Sequence, residues 1–582
     1  MKKSILKYFE ALASFLKQEP AIYVWLFLSL IVSFIPYFNT LVLNKVFEYT
    51  EYKILYQFLI VLIGYVTIQF SRSLFNQIMD YLFITRSAHY DNQVKKSVFQ
   101  AANVKDISYY ENVEWITEYK RAERISMTVS DLFKSSTFLL VQAITLATYL
   151  IYLFNIISFY SLLGIIIVIP GLVKSFIFTS KKYWLDRSLE QDNQRVNDIG
   201  YMFFDGSFLA ENKLFFSTDY IIKRWLDKKN GLFKKRMSLE WRFFLYDVLL
   251  LVLSTGCIFI MFAIIYITLQ NKTGTVSTIL SLIPFMMSLV SDSRNFSNNL
   301  NGVTYSLQEY VDITNFVKRG NIEDKKPQSK EDNVICKTIS CENLSYQYPN
   351  TENKVLDNVS FEMKKGETIA IVGRNGAGKS TLLKLLAGLY EPMEGTVRYD
   401  NQNLNVLGED FIHEHVAFIF QEPVHYPLNL QSNITFGMKK KTSKEKIDEL
   451  LKRLNLKLDI DEDAILEPGF SKSINISGGE WQKICIARAM CRENADVYFF
   501  DEPTASLDPI SEIDVFNTFK ELTNHKSVII STHRLGLAKN ADKIVVMDDG
   551  KMVSYGKHEE LLETCPIYRQ LYDSQKAWYQ NI

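Results

Sequence analysis

Six long apolar segments in the first half of the chain constrain its fold more than any other feature. An α-helix rises about 1.5 Å per residue, so about 20 apolar residues cross the roughly 30 Å hydrocarbon layer of a membrane. The segments that reach this length lie at 21–43, 54–74, 138–154, 156–178, 246–269 and 276–296. The sequence therefore predicts an α-helical membrane domain with six transmembrane helices over residues 1–318.

The distribution of lysine and arginine predicts which side of the membrane each connection faces. The N-terminus and the loops after the second and fourth segments are rich in these residues, whereas the other connections carry few. Basic residues mark the cytoplasmic side, so the N-terminus, both long loops and the C-terminal half are predicted to be cytoplasmic. The third and fourth segments are nearly continuous, and the chain is predicted to turn back at Asn155.

Residues outside the spans are also predicted to be helical. Ile5, Phe9, Leu12 and Leu16 recur at helical spacing opposite lysines, which indicates a helix on the inner membrane surface or, alternatively, a solvated helix. Two cytoplasmic loops of about sixty residues are far longer than helix connections need. We interpret them as helical extensions. Their breaks at 107–115 and 214–220 are predicted contact points for a soluble domain, with plainly solvated helices as the alternative.

The second half has the composition of a soluble α/β domain. Residues 319–335 form a polar linker, and residues 336–582 combine mixed charge with strand-like apolar runs and Gly/Pro punctuation. The formal net charge is +0, and no basic stripe with interleaved aromatics is present, which argues against a nucleic-acid partner. The cysteines show neither CxxC nor zinc-ligand spacing and are predicted to be reduced thiols. They are Cys257, Cys336, Cys341, Cys485, Cys491 and Cys565.

A glycine-rich loop in this half predicts a nucleotide site. The β-run 368–372 enters the motif G-x-x-x-x-G-K-S, and an apolar-periodic helix follows, which is the setting of a P-loop. Glycines let backbone N–H groups close around phosphate oxygens, Lys379 reaches the terminal phosphates, and Ser380 can ligate Mg²⁺. The predicted nucleotide contacts are Gly373, Arg374, Asn375, Gly376, Ala377, Gly378, Lys379, Ser380 and Thr381.

Two later strands are predicted to bring catalytic side chains to the same edge of the sheet. The apolar strand 497–500 ends in Asp501 and Glu502. Asp501 suits Mg²⁺, while Glu502 is placed to orient and polarise an attacking water. Another buried strand delivers His533 within reach of the γ-phosphate. Paired acids and single histidines are often structural, but this order of motifs favours ATP hydrolysis with Lys379, Glu502 and His533 as catalytic residues.

Taken together, these motifs resemble the ATP-binding cassette of ABC transporters, and the whole chain resembles an ABC exporter half-transporter. The implied fold class is an α-helical membrane domain followed by an α/β P-loop NTPase. The resemblance implies that Tyr348 stacks on adenine and that Gln421 senses Mg²⁺ and the transport domain. It also implies that Asp508 links two nucleotide sites across a dimer. The stretch 109–115 is similar to the family's first coupling helix, which docks beside the Gln421 loop.

The stretch NISGGEWQK, residues 475–483, resembles the signature sequence of the same family. The resemblance implies that Ser477, Gly478 and Gly479 bind the γ-phosphate of an ATP held by the opposite cassette. Two copies would then pair head to tail as a homodimer, or the chain would pair with a degenerate partner. The pattern S-x-x-E separately predicts a helix capping box between Ser477 and Glu480. The family usually has Gln where Glu480 stands and a glycine near Ser473, and the segment 467–477 is longer than its usual form.

The implied function is an ATP-driven exporter in a bacterial plasma membrane, with ATP and Mg²⁺ as cofactors and the lipid bilayer as its surroundings. The wording SGGEWQK is similar to exporters of ribosomally made peptides such as lanthipeptides, which implies an amphipathic or peptide substrate. A lipid or hydrophobic-drug exporter or flippase is the alternative, and an ATP-gated channel or sensor is a further one. About twenty residues precede the first span, so no N-terminal peptidase is expected.

Overall fold

A computed structural model describes residues 2–20, 22–103, 106–157, 160–161, 163–270, 276–323, 336–422, 424–438, 442–458, 460–467, 473–503, 520–521, 523 and 525–580. The chain divides into two compact units. The first comprises Met1–Asn103 and Glu114–Asn321, and the second comprises Val104–Val113 and Ile322–Ile582.

The first unit is built from long helices. In chain order they are α1 Lys2–Gln18, α2 Ile22–Glu51, α3 Leu55–Ala102, α4 Val113–Ser126, α5 Asp131–Ile157, α6 Leu163–Ser188, α7 Glu190–Tyr201, α8 Gly206–Leu214, α9 Thr218–Gln270 and α10 Val276–Glu323. Within the described residues, α2, α3, α5, α6 and α9 are the five helices long and apolar enough to cross a membrane. The sixth predicted span lies in α10, and its crossing stays a prediction.

The apolar windows of these helices are poorly covered by protein. The most apolar window of α3 is 0% buried and that of α9 is 11% buried. A water-soluble helix with so little burial would expose a large apolar surface, whereas a bilayer solvates such a surface favourably. The chain is therefore an integral membrane protein.

Small side chains and hydroxyls join the helices of this unit. The Ser297 hydroxyl donates to the Gly171 carbonyl at 2.9 Å, and a Cβ added at Gly171 would lie 2.8 Å from the Ser297 Cβ. The Asn299 amide donates to Gln142 at 2.7 Å. Close backbone approach and side-chain hydrogen bonds of this kind commonly hold membrane helices together.

Ion pairs join the helical extensions beyond the predicted spans. Arg124 makes a bidentate contact with Glu190, at 2.9 and 2.8 Å, and Arg121 lies 3.0 Å from Asp312. These pairs connect α4 with α7 and α10. The extensions are thus packed against one another, which confirms the prediction that the long loops continue as helices.

One expectation for this unit needs correction, and another is not yet tested. The predicted turn at Asn155 is wrong, because α5 continues through Ile157; the two isoleucines after Asn155 extend its apolar pattern. The placement of Ile5, Phe9, Leu12 and Leu16 of α1 on a membrane surface stays a prediction. Phe9 is 58% exposed, whereas Phe15 is fully buried and stacks on Phe133 with ring centroids 3.9 Å apart. The packed face of α1 is therefore rotated away from Phe9.

The second unit contains two sheets. Its strands are β1 Thr338–Tyr346, β2 Leu356–Lys364, β3 Thr368–Gly373, β4 Glu394–Tyr399, β5 Gln402–Asn403, β6 Val416–Ile419, β7 Val497–Asp501, β8 Ser527–Ser531, β9 Lys543–Asp548 and β10 Lys551–Gly556. One sheet has the order β2-β1-β4-β5, and the other has the order β10-β9-β3-β8-β7-β6. The central strands of the second sheet are parallel, and every residue of β7 and β8 is buried, because both of their faces are covered.

Helices flank these sheets. They are α11 Lys379–Leu386, α12 Leu404–His415, α13 Leu430–Ile434, α14 Lys444–Arg453, α15 Gly478–Met490, α16 Leu535–Ala538, α17 His558–Thr564 and α18 Pro566–Gln580. The helical and α/β regions agree with the predicted fold class. Residues 319–323, predicted to open the linker, instead continue α10 to Glu323, although Gly320 lies within this stretch. The remainder of the predicted linker, 324–335, lies outside the described residues.

The first of the two predicted contact segments packs with the second unit. Residues Ile107–Glu111 form a 3₁₀ turn, and the Ile107 N–H donates to the Leu389 carbonyl at 3.1 Å. The Tyr390 hydroxyl donates to the Glu111 carboxylate. These contacts confirm that the segment meets the soluble domain. Leu389 and Tyr390 follow α11 in the chain and are not part of the Gln421 loop. Docking of the segment beside the Gln421 loop therefore stays a prediction. The segment 214–220 belongs to the first unit, where Phe216 is 91% exposed, and its contact also stays a prediction.

Candidate functional site

The phosphate loop connects β3 to α11 and requires glycine at several positions. Gly376 and Gly378 have φ of 81° and 93°, a region that L side chains rarely adopt. A Cβ at Gly378 would also lie 2.7 Å from a Leu356 methyl carbon and 2.9 Å from the Val355 carbonyl oxygen. Arg374, Asn375 and Gly376 are exposed. The loop therefore presents backbone N–H groups at the start of α11, where the helix dipole favours an anion.

Lys379 lies folded across this loop. It is 6% exposed, and its ammonium donates to the carbonyls of Gly373 at 3.2 Å and Arg374 at 3.1 Å. Burial lowers the pKa of Lys379, while the carboxylates of Glu502 and Asp501 oppose that change. The carbonyl contacts satisfy a buried cation. A phosphate bound in the loop can replace them with charge-assisted hydrogen bonds.

Asp501, at the end of β7, provides a carboxylate beside the loop. It is 2% exposed, and its Oδ1 accepts from the Ser380 hydroxyl at 2.9 Å and the Ser531 hydroxyl at 2.6 Å. Asp501 and Ser531 are paired in the parallel register of β7 and β8. A carboxylate next to a hydroxyl at a phosphate loop is a set of hard oxygen donors, which fits Mg²⁺. Ser380 and Asp501 are thus together, as predicted.

Glu502, Gln421 and His533 meet directly after β7. Glu502 has φ of 48°; its Oε1 lies 2.6 Å from His533 Nε2, and its Oε2 accepts from the Gln421 amide at 3.2 Å. The structure therefore brings together the predicted water-orienting acid, the predicted histidine and the predicted Mg²⁺-sensing glutamine.

The protonation state of His533 follows from its neighbours. Burial first, and then the Lys379 ammonium, lower the pKa of His533, while Glu502 and Asp501 oppose that change. The Lys379 ammonium lies 3.3 Å from His533 Nε2. A neutral imidazole whose Nε2–H donates to Glu502 cannot also accept from Lys379 at the same nitrogen. We therefore assign that approach to packing around the loop rather than to a hydrogen bond.

Tyr348 contacts the first turn of α11, directly after the phosphate loop. Its hydroxyl is 2.9 Å from the Thr381 hydroxyl, and its ring packs edge-on against Tyr346 and Tyr390, with centroids 5.2 and 5.8 Å away. An aromatic ring beside the loop suits a base-stacking role, and the adenine contact stays a prediction. Arg374 reaches the Gln570 side chain at 3.4 Å.

The signature segment begins α15 at a separate place in the unit. Ser477 is the N-cap and is exposed. The predicted capping box is confirmed: the Glu480 N–H donates to the Ser477 hydroxyl oxygen at 3.3 Å, and the Ser477 N–H donates to the Glu480 carboxylate at 2.9 Å. The Ser477 hydroxyl also donates to Glu480, at 2.6 Å. A Cβ added at Gly478 would meet nothing within 4 Å. Asp508 lies outside the described residues.

Two residues that support the site are not indicated by the sequence motifs above. Ser531 holds the Asp501 carboxylate, and the buried Gln482 of α15 donates to the Pro503 carbonyl, next to Glu502. Ser531 could have been found, because it ends a buried strand two residues before His533. Gln482 carries no such signal, since its partner is a backbone carbonyl in a distant segment.

Comparison with known proteins identifies the family of this chain. A family model described as "ABC transporter" matches residues 356–505, which include the phosphate loop, the signature segment and the acidic pair. The chain belongs to the ABC transporter family. It is 32% identical to the nisin transport ATP-binding protein of Lactococcus lactis subsp. lactis, over 68% of this chain and 66% of that relative. It is 28% identical to the subtilin transport ATP-binding protein of Bacillus subtilis, over 90% and 85% of the two chains.

Two further likenesses are to a flippase and to an exporter of known structure. The ATP-dependent lipid A-core flippase of Francisella tularensis subsp. tularensis is 36% identical, but over only 43% of this chain and 41% of that relative. A solved structure of a bacterial Atm1-family ABC exporter with ATP bound has a TM-score of 0.78 at 18% identity, covering 95% of this chain and 98% of that one. This ABC transporter therefore has the exporter fold, in which a helical membrane domain is fused to an ATP-binding cassette.

Proposed function

We propose that this ABC transporter is an ATP-driven exporter that acts as a homodimer and moves an amphipathic or peptide substrate out of the cytoplasm. The observation that carries the proposal is the separation of two half-sites. The phosphate loop, with Lys379, Asp501 and Glu502, is assembled at the ends of β3 and β7, whereas the signature serine, Ser477, lies exposed at the start of α15. A second copy would supply its own Ser477 to the ATP held by the first.

Hydrolysis of ATP is the reaction that the site supports. Backbone N–H groups of 373–380 and the Lys379 ammonium would hold the phosphates, and Ser380, Asp501 and Gln421 would hold Mg²⁺, which neutralises phosphate charge. Glu502 would orient the attacking water, and His533, hydrogen-bonded to Glu502 at 2.6 Å, would keep that carboxylate in position and face the γ-phosphate. Asp508 would join the two sites of the dimer.

Coupling to the membrane follows from how the dimer would form. Two ATP molecules between two cassettes would close the pair, and hydrolysis would let it reopen, which would move the helical units between inward and outward access. The segment 107–111, held to Leu389 and Tyr390, would transmit this motion. The N-terminus and the cassette would lie on the cytoplasmic side of a bacterial plasma membrane.

A peptide is the favoured cargo, because the relatives named for nisin and subtilin transport match 68% and 90% of this chain. The lipid flippase match to 43% of the chain supports a lipid or hydrophobic-drug substrate as the second candidate. An ATP-gated channel or sensor would use the same cassette without accumulating a substrate.

The deciding experiment is transport into inside-out membrane vesicles. Wild-type vesicles would be given ATP and, in separate assays, a fluorescent lanthipeptide precursor, a fluorescent phospholipid and a hydrophobic dye. We expect ATP-dependent accumulation of the peptide, and none with Glu502→Gln. Accumulation of lipid or dye alone would move the substrate assignment to the second candidate. ATP turnover with ion conductance and without any accumulation would overturn the exporter proposal.

A further inference from the structure

Three metal-ligand types converge in the second unit, away from the ATP site. Cys336, His415 and Asp496 each offer one ligand atom, and these atoms all lie within 4.8 Å of one another. His415 and Asp496 directly precede β6 and β7, at the amino ends of these parallel strands. The ATP site lies at the carboxyl ends, after Asp501. The cluster therefore occupies the opposite edge of the same sheet and has no place in ATP hydrolysis.

The three side chains are held in position before any ligand arrives. The His415 imidazole Nδ1 lies 2.7 Å from Asp496 Oδ2, and its ring stacks on Phe411 with centroids 4.7 Å apart. The Asp496 N–H also donates to the His415 carbonyl at 2.9 Å, so the backbone fixes the pair. Ligand positions set by packing and backbone hydrogen bonds reduce the ordering cost of binding.

Cys336 completes the cluster from a third segment. It is 1% exposed and has φ of 48°, an unusual conformation for a non-glycine residue. This turn directs the chain from Cys336 into β1 two residues later. No hydrogen bond joins its thiol to another described residue. Its left-handed φ, together with a sulfur within 4.8 Å of the histidine and aspartate ligand atoms, makes Cys336 a candidate ligand as well as a member of the apolar core.

We propose that Cys336, His415 and Asp496 form a binding site for Zn²⁺. The ligand atoms would be the Cys336 sulfur, His415 Nδ1 and an Asp496 carboxylate oxygen, with water in the fourth position. Mixed sulfur, nitrogen and oxygen ligands in tetrahedral arrangement are typical of zinc. On binding, the thiol proton and the proton by which His415 Nδ1 donates to Asp496 Oδ2 are both released to solvent, and Nε2 takes up one proton from solvent, so the imidazole stays neutral. No oxidant or reductant is involved.

One neighbouring cation must be accommodated. The Lys365 ammonium lies 3.9 Å from Asp496 Oδ1, the carboxylate oxygen that does not contact His415. The Lys365 side chain is 43% exposed, so it can turn toward water while the zinc ion takes its place. The ion pair in its present form is exposed enough to contribute little stability.

The consequence of zinc binding would be structural. Cys336 enters the sheet of β1, whereas His415 and Asp496 enter the sheet of β6 and β7. An ion held by all three would tie the two sheets together directly after the predicted linker. Because a ligand that binds only the folded state stabilises it, the cassette would resist thermal unfolding better with zinc than without.

The test uses the full-length protein in detergent, without a polyhistidine tag and after treatment with a chelator. ZnCl₂ alone is added, excess ion is removed, and zinc is quantified by mass spectrometry. CoCl₂ is added in a parallel sample, since a cobalt–thiolate bond gives a near-ultraviolet charge-transfer band. We expect about one zinc per chain, the cobalt band and a raised midpoint of thermal unfolding.

Single substitutions assign the ligands. Cys336→Ser and His415→Asn should each weaken zinc binding by about tenfold or more, and Cys336→Ser should abolish the cobalt band. Cys341→Ser is the matched control, because Cys341 is also buried, in β1 of the same unit, and it should keep both signals. Equal zinc content in wild type and Cys336→Ser would overturn the proposal. If Cys336→Ser does not fold, the wild-type cobalt spectrum decides, since a spectrum without the band rules out the thiolate ligand.

Discussion

The starts of α11 and α15 are alike in sequence and opposite in structure. Both are glycine-containing helix N-termini beside a hydroxyl residue, and both are expected to contact phosphate. The start of α11 is buried, requires positive φ and is surrounded by Lys379, Asp501 and Glu502. The start of α15 is exposed, has open space around Gly478 and is capped by its own Glu480.

This difference indicates which helix start can bind ATP alone. Around α11, side chains from β7 and from the segment after β8 converge, so the site has both its cation and its acids in one chain. At α15 the serine hydroxyl is already bonded to Glu480, at 2.6 Å, and no other charged partner of Ser477 occurs among the described residues. Under the proposed function, the second helix start is half a site, whose remaining contacts would come from another copy of the chain.

The largest expected effect is on the chemical step at the α11 side. Glu502→Gln keeps the size of the side chain but removes the negative charge that orients water, so we expect ATP turnover to fall by about 100-fold or more. Binding of ATP should persist. Phosphate release by the purified protein, with nucleotide binding measured separately, checks both points.

A matched substitution provides the control for this change. Glu563→Gln alters an exposed carboxylate of α17 and should leave turnover unchanged. Equal turnover in Glu502→Gln and wild type would show that another group orients the water, and the comparison between the two helix starts would lose its catalytic basis.

The next largest effect should distinguish the glycines at the two helix starts, Gly378 and Gly478. Gly378→Ala places a methyl group against Leu356 and the Val355 carbonyl at φ of 93°, which we expect to cost about 1–3 kcal/mol of unfolding free energy and to abolish ATP binding. Gly478→Ala meets open space and should leave the thermal unfolding midpoint nearly unchanged. Nucleotide affinity and unfolding of the two variants, measured side by side, check the contrast; a Gly478→Ala midpoint as low as that of Gly378→Ala contradicts it.

How far the sequence predicts this molecule depends on whether contacts are local. The strand before the loop, predicted at 368–372, is observed at Thr368–Gly373, and the capping box at Ser477 is confirmed because its partners are three residues apart. The turn at Asn155 was wrong, because the apolar pattern of α5 continues through Ile157. Ser531 could have been found from its place at the end of a buried strand, whereas Gln482 was missed because its partner lies in a distant part of the chain. For the same reason, no spacing rule indicates the Cys336 cluster.

A smaller effect is expected from a substitution beside Asp501, the carboxylate proposed to hold Mg²⁺. Ser531→Ala removes one of the two hydroxyl donors to Asp501 Oδ1, so the carboxylate keeps its charge but loses an orienting contact. We expect the Mg²⁺ concentration for half-maximal ATPase activity to rise by about tenfold. Ser574→Ala, in the exposed helix α18, is the control. An unchanged Mg²⁺ requirement in Ser531→Ala means that Ser380 alone orients Asp501.

The smallest effect is expected from substitutions at Glu480. It tests most directly whether a second copy of the chain contributes to the site. Glu480 accepts from both the hydroxyl and the N–H of Ser477, and these hydrogen bonds lower the pKa of its carboxyl, so it is charged at neutral pH. A carboxylate there competes with phosphate for the hydroxyl and repels it. Glu480→Gln keeps the capping geometry and removes the charge. We therefore expect the ATP concentration for half-maximal dimerisation of a Glu502→Gln background to fall about two- to fivefold.

Dimerisation can be followed by light scattering of the detergent-purified protein against ATP concentration. Glu480→Ala is the informative companion, because it removes both the charge and the cap and so separates electrostatics from helix capping. If only the charge of Glu480 matters, both variants should dimerise at a lower ATP concentration than the Glu502→Gln parent. If Glu480→Gln needs more ATP than the parent, the carboxylate assists the contact, and the start of α15 is a prepared site in its own right rather than half of one.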